Sequence, residues 1–262
     1  MNFTGKVVWI TGASSGIGEA LAIAFNQFEA KVIISARNIG ELERVKSLCK
    51  MPENVAVLQM DIADSDNIST AVDIAIGCFN RLDILLNNAG ISHRSLAVDT
   101  DARVYRKIFD VNFFGTVELT NCVLKYFIKQ NKGHIITLSS MSTILNPPNR
   151  TAYIASKAAI EGYLKTLRHE IWNTPVKILI VKPGAVKTNI ANNSIKGDGQ
   201  PYTEFDKLIA AGMKPELLAV KILKAISKNK KQLIAGTPKH RLAAALAVAF
   251  PWSIYGMVKD YK

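Results

Sequence analysis

The sequence has few of the residues that build disulfide frameworks and metal sites. Its 262 residues include three cysteines, an odd number at wide spacing, and four histidines without metal-ligand spacing. We therefore expect no metal and no disulfide framework, and cysteines that pack as small apolar residues in a reducing compartment. Residues 1–5 are too short for a signal peptide, so a cytoplasmic location is the expectation.

Acidic residues are scarce relative to basic ones. The 33 lysines and arginines outnumber 21 aspartates and glutamates, which gives a formal net charge of +12. Such a charge favours a phosphorylated cofactor, acidic substrates or an anionic membrane surface. Because the basic residues are spread along the chain without a nucleic-acid-binding motif, nucleic acid is not an expected partner.

Long uninterrupted apolar runs are also missing. The apolar stretch at 242–258 falls short of the roughly 20 residues that span a bilayer, and Pro251 interrupts it. We expect residues 238–262 to form an apolar tail on a domain of residues 1–237, covering the active-site cleft or a subunit interface. Peripheral membrane contact through this tail is the alternative.

Strand-like and helix-like segments alternate along the chain, without a linker or an internal repeat. The apolar runs that predict strands lie near 6–10, 31–35, 55–59, 82–86, 133–139, 176–182 and 231–235. Two long helical segments, 102–130 and 151–173, flank the fifth run. This order predicts an α/β fold: a single-domain Rossmann-type, doubly wound parallel sheet of about seven strands with helices on both faces.

A glycine-rich turn follows the first strand. Gly12, Gly16 and Gly18 stand between that strand and a segment with helical periodicity. Glycine lets phosphate oxygens approach the backbone, and the helix N-terminus offers free N–H groups, so the context favours a dinucleotide site.

The residues after the second strand bear on cofactor choice. NAD enzymes commonly carry an acid at this point, whereas this chain has Ala36 and then Arg37. A guanidinium suits the 2′-phosphate of NADP, with Ser14 or Ser15 as further candidates. The alternative is that Arg37 is a solvated loop cation.

Tyr153 and Lys157 stand four residues apart, a spacing that places both on one face of a helix. A nearby ammonium lowers the pKa of a phenol from its usual value of about 10. Ser140 ends the fifth apolar run and can face that helix. The three side chains together could hold a carbonyl and deliver a proton to its oxygen.

In their order and spacing these motifs resemble the short-chain dehydrogenase/reductase family, in its compact single-domain branch, and within it most closely the dehydrogenase/reductase member-7 group and bacterial relatives. The resemblance covers nearly the whole chain. It implies a catalytic set of Asn112, Ser140, Tyr153 and Lys157. The cofactor-binding residues that it and the turn imply are Gly12, Ser14, Ser15, Gly16, Ile17, Gly18, Arg37, Asp61, Ile62, Asn88, Ala89, Gly90, Tyr153, Lys157, Pro183, Gly184, Val186 and Thr188.

The expected function is therefore that of an NADP(H)-dependent oxidoreductase acting on a carbonyl or secondary alcohol, with Tyr153 as the general acid or base. A non-catalytic NADP-binding sensor or scaffold is the alternative. We expect a lipophilic substrate to contact His93, Ser142 and Asn146, and residues 184–212 to form a lid. The resemblance also implies a homodimer or homotetramer, formed through the two long helical segments.

Overall fold

The computed structural model describes residues 1–188, 194–202, 207–250 and 252. Its strands are β1 (Val7–Thr11), β2 (Lys31–Ala36), β3 (Val55–Gln59), β4 (Ile84–Asn87), β5 (Ser92–His93), β6 (Gly133–Leu138), β7 (Val176–Pro183), β8 (Ser194–Ile195) and β9 (Gln232–Ala235). Its helices are α1 (Gly16–Gln27), α2 (Ile39–Ser47), α3 (Ser65–Phe79), α4 (Ala102–Phe109), α5 (Gly115–Lys129), α6 (Ser142–Leu145), α7 (Thr151–Glu170), α8 (Lys207–Ala210), α9 (Pro215–Ser227) and α10 (Pro238–Ala249).

Seven strands form one parallel sheet in the order β3-β2-β1-β4-β6-β7-β9. The chain runs outward from β1 to β3, then returns to place β4 on the other side of β1. The predicted doubly wound sheet is thereby confirmed, and the predicted strand ends differ from the observed ones by at most two residues. The sequence did not predict β5 and β8, which pair in a separate two-stranded sheet.

Apolar side chains cover both faces of the sheet, because successive residues of a strand point to opposite faces. In β1, Val8 and Ile10 pack in the cluster formed with α1, α2 and α9. Val7 and Trp9 pack in the cluster formed with α3, α5 and α7. Burial on both faces explains why the strands read as continuous apolar runs rather than as alternating ones.

The predicted helical segment at 102–130 is not one regular helix. Residues 110–114 form a π-helical turn between α4 and α5. Asn112 lies in this turn and exchanges two hydrogen bonds with the backbone of Ile91, each 2.9 Å long. A long-range contact therefore accompanies the local break in the helix, and π turns often mark functional sites.

The described part of the C-terminal tail is helical. Helix α10 packs against α6 and buries Ala244 and Ala247, while Leu242, Leu246 and Phe250 are exposed. Within the described residues, no helix is both long and apolar enough to cross a bilayer. The predicted tail residues Pro251 and 253–262 lie outside the described part of the chain, as do residues 189–193 and 203–206 of the predicted lid.

Candidate active site

A cleft of about 990 Å³ opens at the carboxyl ends of β1 to β4, where the strand order reverses. Open α/β sheets bind ligands at this kind of switch point. Gly12 lies on the cleft wall with φ +63°, and a Cβ there would stand 2.7 Å from the Cα of Ala89. A Cβ at Gly18 would collide with the carbonyl oxygen of Gly12. The turn therefore requires glycine at both positions, and it leaves the N-terminus of α1 open to an anion.

Asn88 fastens this turn to the neighbouring strand. Its side-chain amide donates to the carbonyl oxygens of Thr11 and Gly12, each at 2.9 Å. The hydroxyl of Thr11 accepts in return from the backbone N–H groups of Asn88 and Ala89, each at 3.1 Å. These bonds hold the glycine turn in one position relative to β4.

Most of the predicted cofactor residues line this cleft. They are Gly12, Ser14, Ser15, Gly16, Ile17, Arg37, Asp61, Ile62, Asn88, Ala89, Gly90 and Thr188. Five others, Tyr153, Lys157, Pro183, Gly184 and Val186, line an adjoining cavity of about 180 Å³. Four residues line both the cleft and the cavity, namely Ile17, Asn88, Gly90 and Thr188. The two spaces therefore adjoin next to the glycine turn.

Tyr153 and Ser140 meet in the adjoining cavity. Tyr153 lies in the first turn of α7 and is buried. Burial raises the pKa of Tyr153, while a hydrogen bond with the Ser140 side chain and the positive charge of Arg94 oppose the rise. The Ser140 oxygen accepts the backbone N–H of Ser142 at 3.1 Å, so its own proton can be donated elsewhere. Because the net effect raises the pKa of Tyr153 above its usual value of about 10, the phenol is protonated at neutral pH.

Lys157 lies one turn further along α7 and is also buried. Its Nζ donates to the carbonyl oxygen of Leu138 at 2.9 Å, and burial lowers the pKa of Lys157 to about 8. The sequence predicts that Lys157 lowers the pKa of Tyr153, and this stays a prediction. Ser140 and Arg94 also act to lower that pKa.

Asn112 is hydrogen-bonded to α7. Its Nδ2 donates to the Ser156 hydroxyl at 3.0 Å, and that hydroxyl donates to the Tyr153 carbonyl oxygen at 2.8 Å. A Cβ at Gly90 would stand 3.1 Å from the Asn112 Oδ1 and 3.3 Å from the Lys157 Nζ. The backbone at Gly90 thus approaches both groups closely.

Two of the three predicted substrate residues do not line the cavity. Ser142 does, but His93 is fully buried within β5, beneath its neighbours Ser92 and Arg94, which do line it. Pairing of β5 with β8 converts a predicted exposed loop into a buried strand. Asn146 is exposed at the C-terminal end of α6, with φ +46°, and it too lies off the cavity wall.

A buried ion pair lies behind Ser140. The carboxylate of Glu161, on α7, stands 2.6 Å from the Nζ of Lys182, on β7, and both side chains are buried. The same carboxylate accepts hydrogen bonds from Ser139 at 2.6 Å and from Thr143 at 2.8 Å. This network fastens the segment that carries Ser140 to the helix that carries Tyr153.

The sequence motifs do not single out Met141 or Arg150, both of which line the cavity. Arg94 lines it as well, as do the apolar side chains of Leu145, Pro147 and Ile209. One pattern in the sequence could have pointed to Glu161. It follows Lys157 by four residues, so the two side chains share a helix face. Arg150 directly precedes α7.

Comparison with known proteins agrees with this geometry. A family model described as short chain dehydrogenase matches residues 6–199. A Drosophila melanogaster dehydrogenase/reductase SDR family protein 7-like is 38% identical over 256 residues, which cover 96% of this chain and 78% of that protein. The human dehydrogenase/reductase SDR family member 7 is 41% identical over 201 residues, which cover 74% of this chain and 59% of that protein.

Solved structures share the fold. A short-chain dehydrogenase from Streptomyces avermitilis superposes with a TM-score of 0.81 at 26% identity, covering 99% of this chain and 100% of that one. A short-chain dehydrogenase/reductase from Burkholderia phymatum, in complex with NAD, has a TM-score of 0.86 at 23% identity, covering 97% and 96% of the two chains.

Proposed function

The chain belongs to the short-chain dehydrogenase family, and from that premise we propose that it is an NADP(H)-dependent oxidoreductase interconverting a carbonyl compound and a secondary alcohol. The observation that carries this proposal is the placement of Tyr153 and Ser140 in a cavity that opens onto the dinucleotide cleft. A substrate oxygen in that cavity can reach both hydroxyls.

The glycine turn and its surroundings fit a dinucleotide. Gly12 and Gly18 admit no side chain, and the N-terminus of α1 faces the cleft. When bound there, the reduced nicotinamide supplies a hydride to the carbonyl carbon, and the oxidised form accepts one in the reverse direction.

The residues of the chain supply the proton and the orientation. In reduction, the Ser140 hydroxyl donates a hydrogen bond to the carbonyl oxygen, and Tyr153 transfers its proton to that oxygen. The phenolate left behind is the base that removes the alcohol proton in oxidation. The buried Lys157 ammonium would favour that phenolate and would bind the cofactor ribose, while Asn112 holds the backbone of Ile91 through two hydrogen bonds.

The preference for NADP rests on Arg37. It is exposed on the wall of the cleft directly after β2, where a ribose 2′-phosphate would lie. Its carbonyl oxygen accepts a 2.9 Å hydrogen bond from the Gln59 side chain, which supports the loop. The nearby Glu41 lines the same cleft but is paired with Arg44 at 2.7 Å, so its charge is partly compensated.

The decisive experiment is a turnover panel of ketones, aldehydes and secondary alcohols with both NADP(H) and NAD(H), followed at the nicotinamide absorbance. We expect reduction or oxidation of several members with NADP(H) as the better cofactor. Tight NADPH binding without turnover of any member would contradict the proposal and favour a cofactor-sensing role.

We further propose that the protein is a homodimer or homotetramer assembled through α5 and α7. These helices lie side by side, with the Tyr163 hydroxyl donating to Asn121 at 2.7 Å. Phe114, directly before α5, and Ile128, near its end, expose 55% and 46% of their surface. An isologous pairing would cover such side chains. Light scattering at micromolar concentration should show a dimer or tetramer, and a monomer alone would refute this assembly.

A further inference from the structure

The amino ends of five neighbouring strands carry positive charge. The strands β1, β4, β6, β7 and β9 are parallel and adjacent in that order, so their amino ends meet at one edge of the sheet, opposite the cofactor cleft. Each of these ends has a basic residue within three positions of the first residue of the strand. We name this set the basic edge: Lys6, Arg81, Lys132, Lys177, Lys230 and Lys231. With about 4.8 Å between neighbouring strands, the row of strand ends is about 19 Å wide.

Three cations of the basic edge lie together at the amino ends of β1, β4 and β6. The buried carboxylate of Asp83 lies 3.6 Å from the Nζ of Lys6 and 2.7 Å from the Nη2 of Arg81. The adjacent Lys6 side chain lowers the pKa of Lys132, through a hydrogen bond and then through charge repulsion, although Asp83 opposes this effect. Three cations therefore share one carboxylate, which leaves this part of the edge positive.

The part of the basic edge at β7 and β9 lies open to solvent. Lys177, Lys230 and Lys231 are exposed, and none of them forms an ion pair within the described part of the chain. The Lys177 Nζ donates to the neutral side chain of Asn229 at 2.6 Å. Arg168, near the end of α7, donates to the carbonyl oxygen of Lys231 at 3.1 Å, which adds a further positive charge beside this edge.

An exposed tryptophan lies beside these lysines. Trp172 stands between the end of α7 and the start of β7, so it lies at the same edge of the sheet, and 81% of its surface is exposed. The exposed acid Glu170 lies two residues before it, but the neighbouring lysines and Arg168 keep the local charge positive. Tryptophan is enriched where proteins meet the interface between lipid and water, and basic residues accompany it on interfacial surfaces.

We propose that the basic edge, together with Trp172, binds the surface of an anionic lipid membrane. Lysine side chains near such a surface are attracted by the negative charge of its headgroups. The exposed tryptophan favours lipid as the partner, because its ring is stabilised in the interfacial layer. The cofactor cleft opens at the opposite edge of the sheet, so it stays accessible from the water phase when the protein is bound.

Co-sedimentation with vesicles tests this contact, and it requires no turnover, so it is independent of the proposed reaction. The full-length protein is mixed with vesicles of equimolar phosphatidylcholine and phosphatidylserine, or of phosphatidylcholine alone. The edge variant replaces three lysines of the basic edge: Lys132→Gln, Lys177→Gln and Lys231→Gln. The matched control removes the same charge from three exposed lysines outside the basic edge: Lys196→Gln, Lys214→Gln and Lys221→Gln.

We expect the wild type to bind the anionic vesicles, less tightly as salt is added, and not to bind phosphatidylcholine alone. The edge variant should bind about 100-fold more weakly, the combined effect of three lysines near an anionic surface. The control variant should lose far less, because charges beyond a Debye length from the lipid are screened. Trp172→Ala should bind about 10-fold more weakly. It keeps every charge and so tests the same contact if the edge variant is unstable.

Three results would overturn the inference. They are absence of vesicle binding by the wild type, equal losses in the edge and control variants, and loss of binding in Leu242→Ser/Leu246→Ser while the edge variant binds normally. The last result would place the membrane contact on the exposed face of α10 instead. None of the three bears on turnover, so the proposed function would stand.

Discussion

Replacing Lys182 by methionine tests the buried ion pair behind Ser140. Glu161 and Lys182 expose only 4% and 6% of their surface. At their 2.6 Å separation, Coulomb's law gives an attraction of roughly 6 kcal/mol at an effective dielectric constant of about 20. Desolvation offsets much of it while the pair is intact. Without Lys182, the Glu161 charge stays buried, and the described groups that remain close to it are Ser139, Thr143 and, at 3.7 Å, the largely exposed Lys165.

We therefore expect Lys182→Met to lower the free energy of unfolding by about 3–5 kcal/mol, the usual cost of breaking a buried pair. The double variant Glu161→Gln/Lys182→Met should recover most of the loss, because no buried charge remains. Urea unfolding at a fixed protein concentration measures these differences.

Lys165→Met is the matched control. Its Nζ lies 3.7 Å from the same carboxylate, but its side chain is 56% exposed. Removing it should cost less than about 1 kcal/mol, as for surface pairs. A Lys182 variant no less stable than the Lys165 variant, or a double variant that shows no recovery, would refute this reasoning.

Two further predictions concern the cofactor and pH. We define the cofactor preference as kcat/KM for NADPH divided by kcat/KM for NADH. Arg37→Asp should lower this preference by about 100-fold, since the 2′-phosphate would meet a like charge. An unchanged preference would show that Arg37 is a solvated cation. Burial lowers the pKa of His93 and His134 from 6.5 to about 4. As the pH falls, these histidines are therefore protonated in the unfolded chain before they are protonated in the folded one. The free energy of unfolding should decline from pH 6.5 toward pH 4 for this reason. Each histidine should remove about 2 kcal/mol between pH 7 and pH 5. His93→Leu or His134→Leu should reduce that decline. Slopes equal to that of the wild type in pH-dependent urea unfolding would contradict this prediction.

The main sheet could be predicted because its determinants are local. Each buried parallel strand is a short apolar run, such as Val176–Pro183, and each crossover is a helical segment between two runs. The turn around Gly12 and Gly18 could also be predicted, because these glycines stand close together in the sequence, directly after the first strand. The structure gives a steric reason for both.

What could not be predicted depends on contacts between distant residues. Asn112 forms its two backbone bonds with Ile91, and nothing in residues 102–130 alone indicates the π turn that results. His93 reads as a loop residue until β5 pairs with β8, about a hundred residues later. Lys182 is a charged residue in an otherwise apolar strand segment, and only its contact with Glu161 in the folded chain explains its burial.

The Tyr153→Phe variant tests the central claim most directly, because it removes one hydroxyl and preserves the ring. Tyr163→Phe is its control, since that hydroxyl lies on the same helix but bonds to Asn121 outside the cavity. With the best substrate of the panel, Tyr153→Phe should lower kcat by about 10²–10⁴-fold while NADPH affinity stays close to that of the wild type. Tyr163→Phe should keep its turnover. Undiminished turnover in Tyr153→Phe would contradict the assignment of this residue as the proton donor.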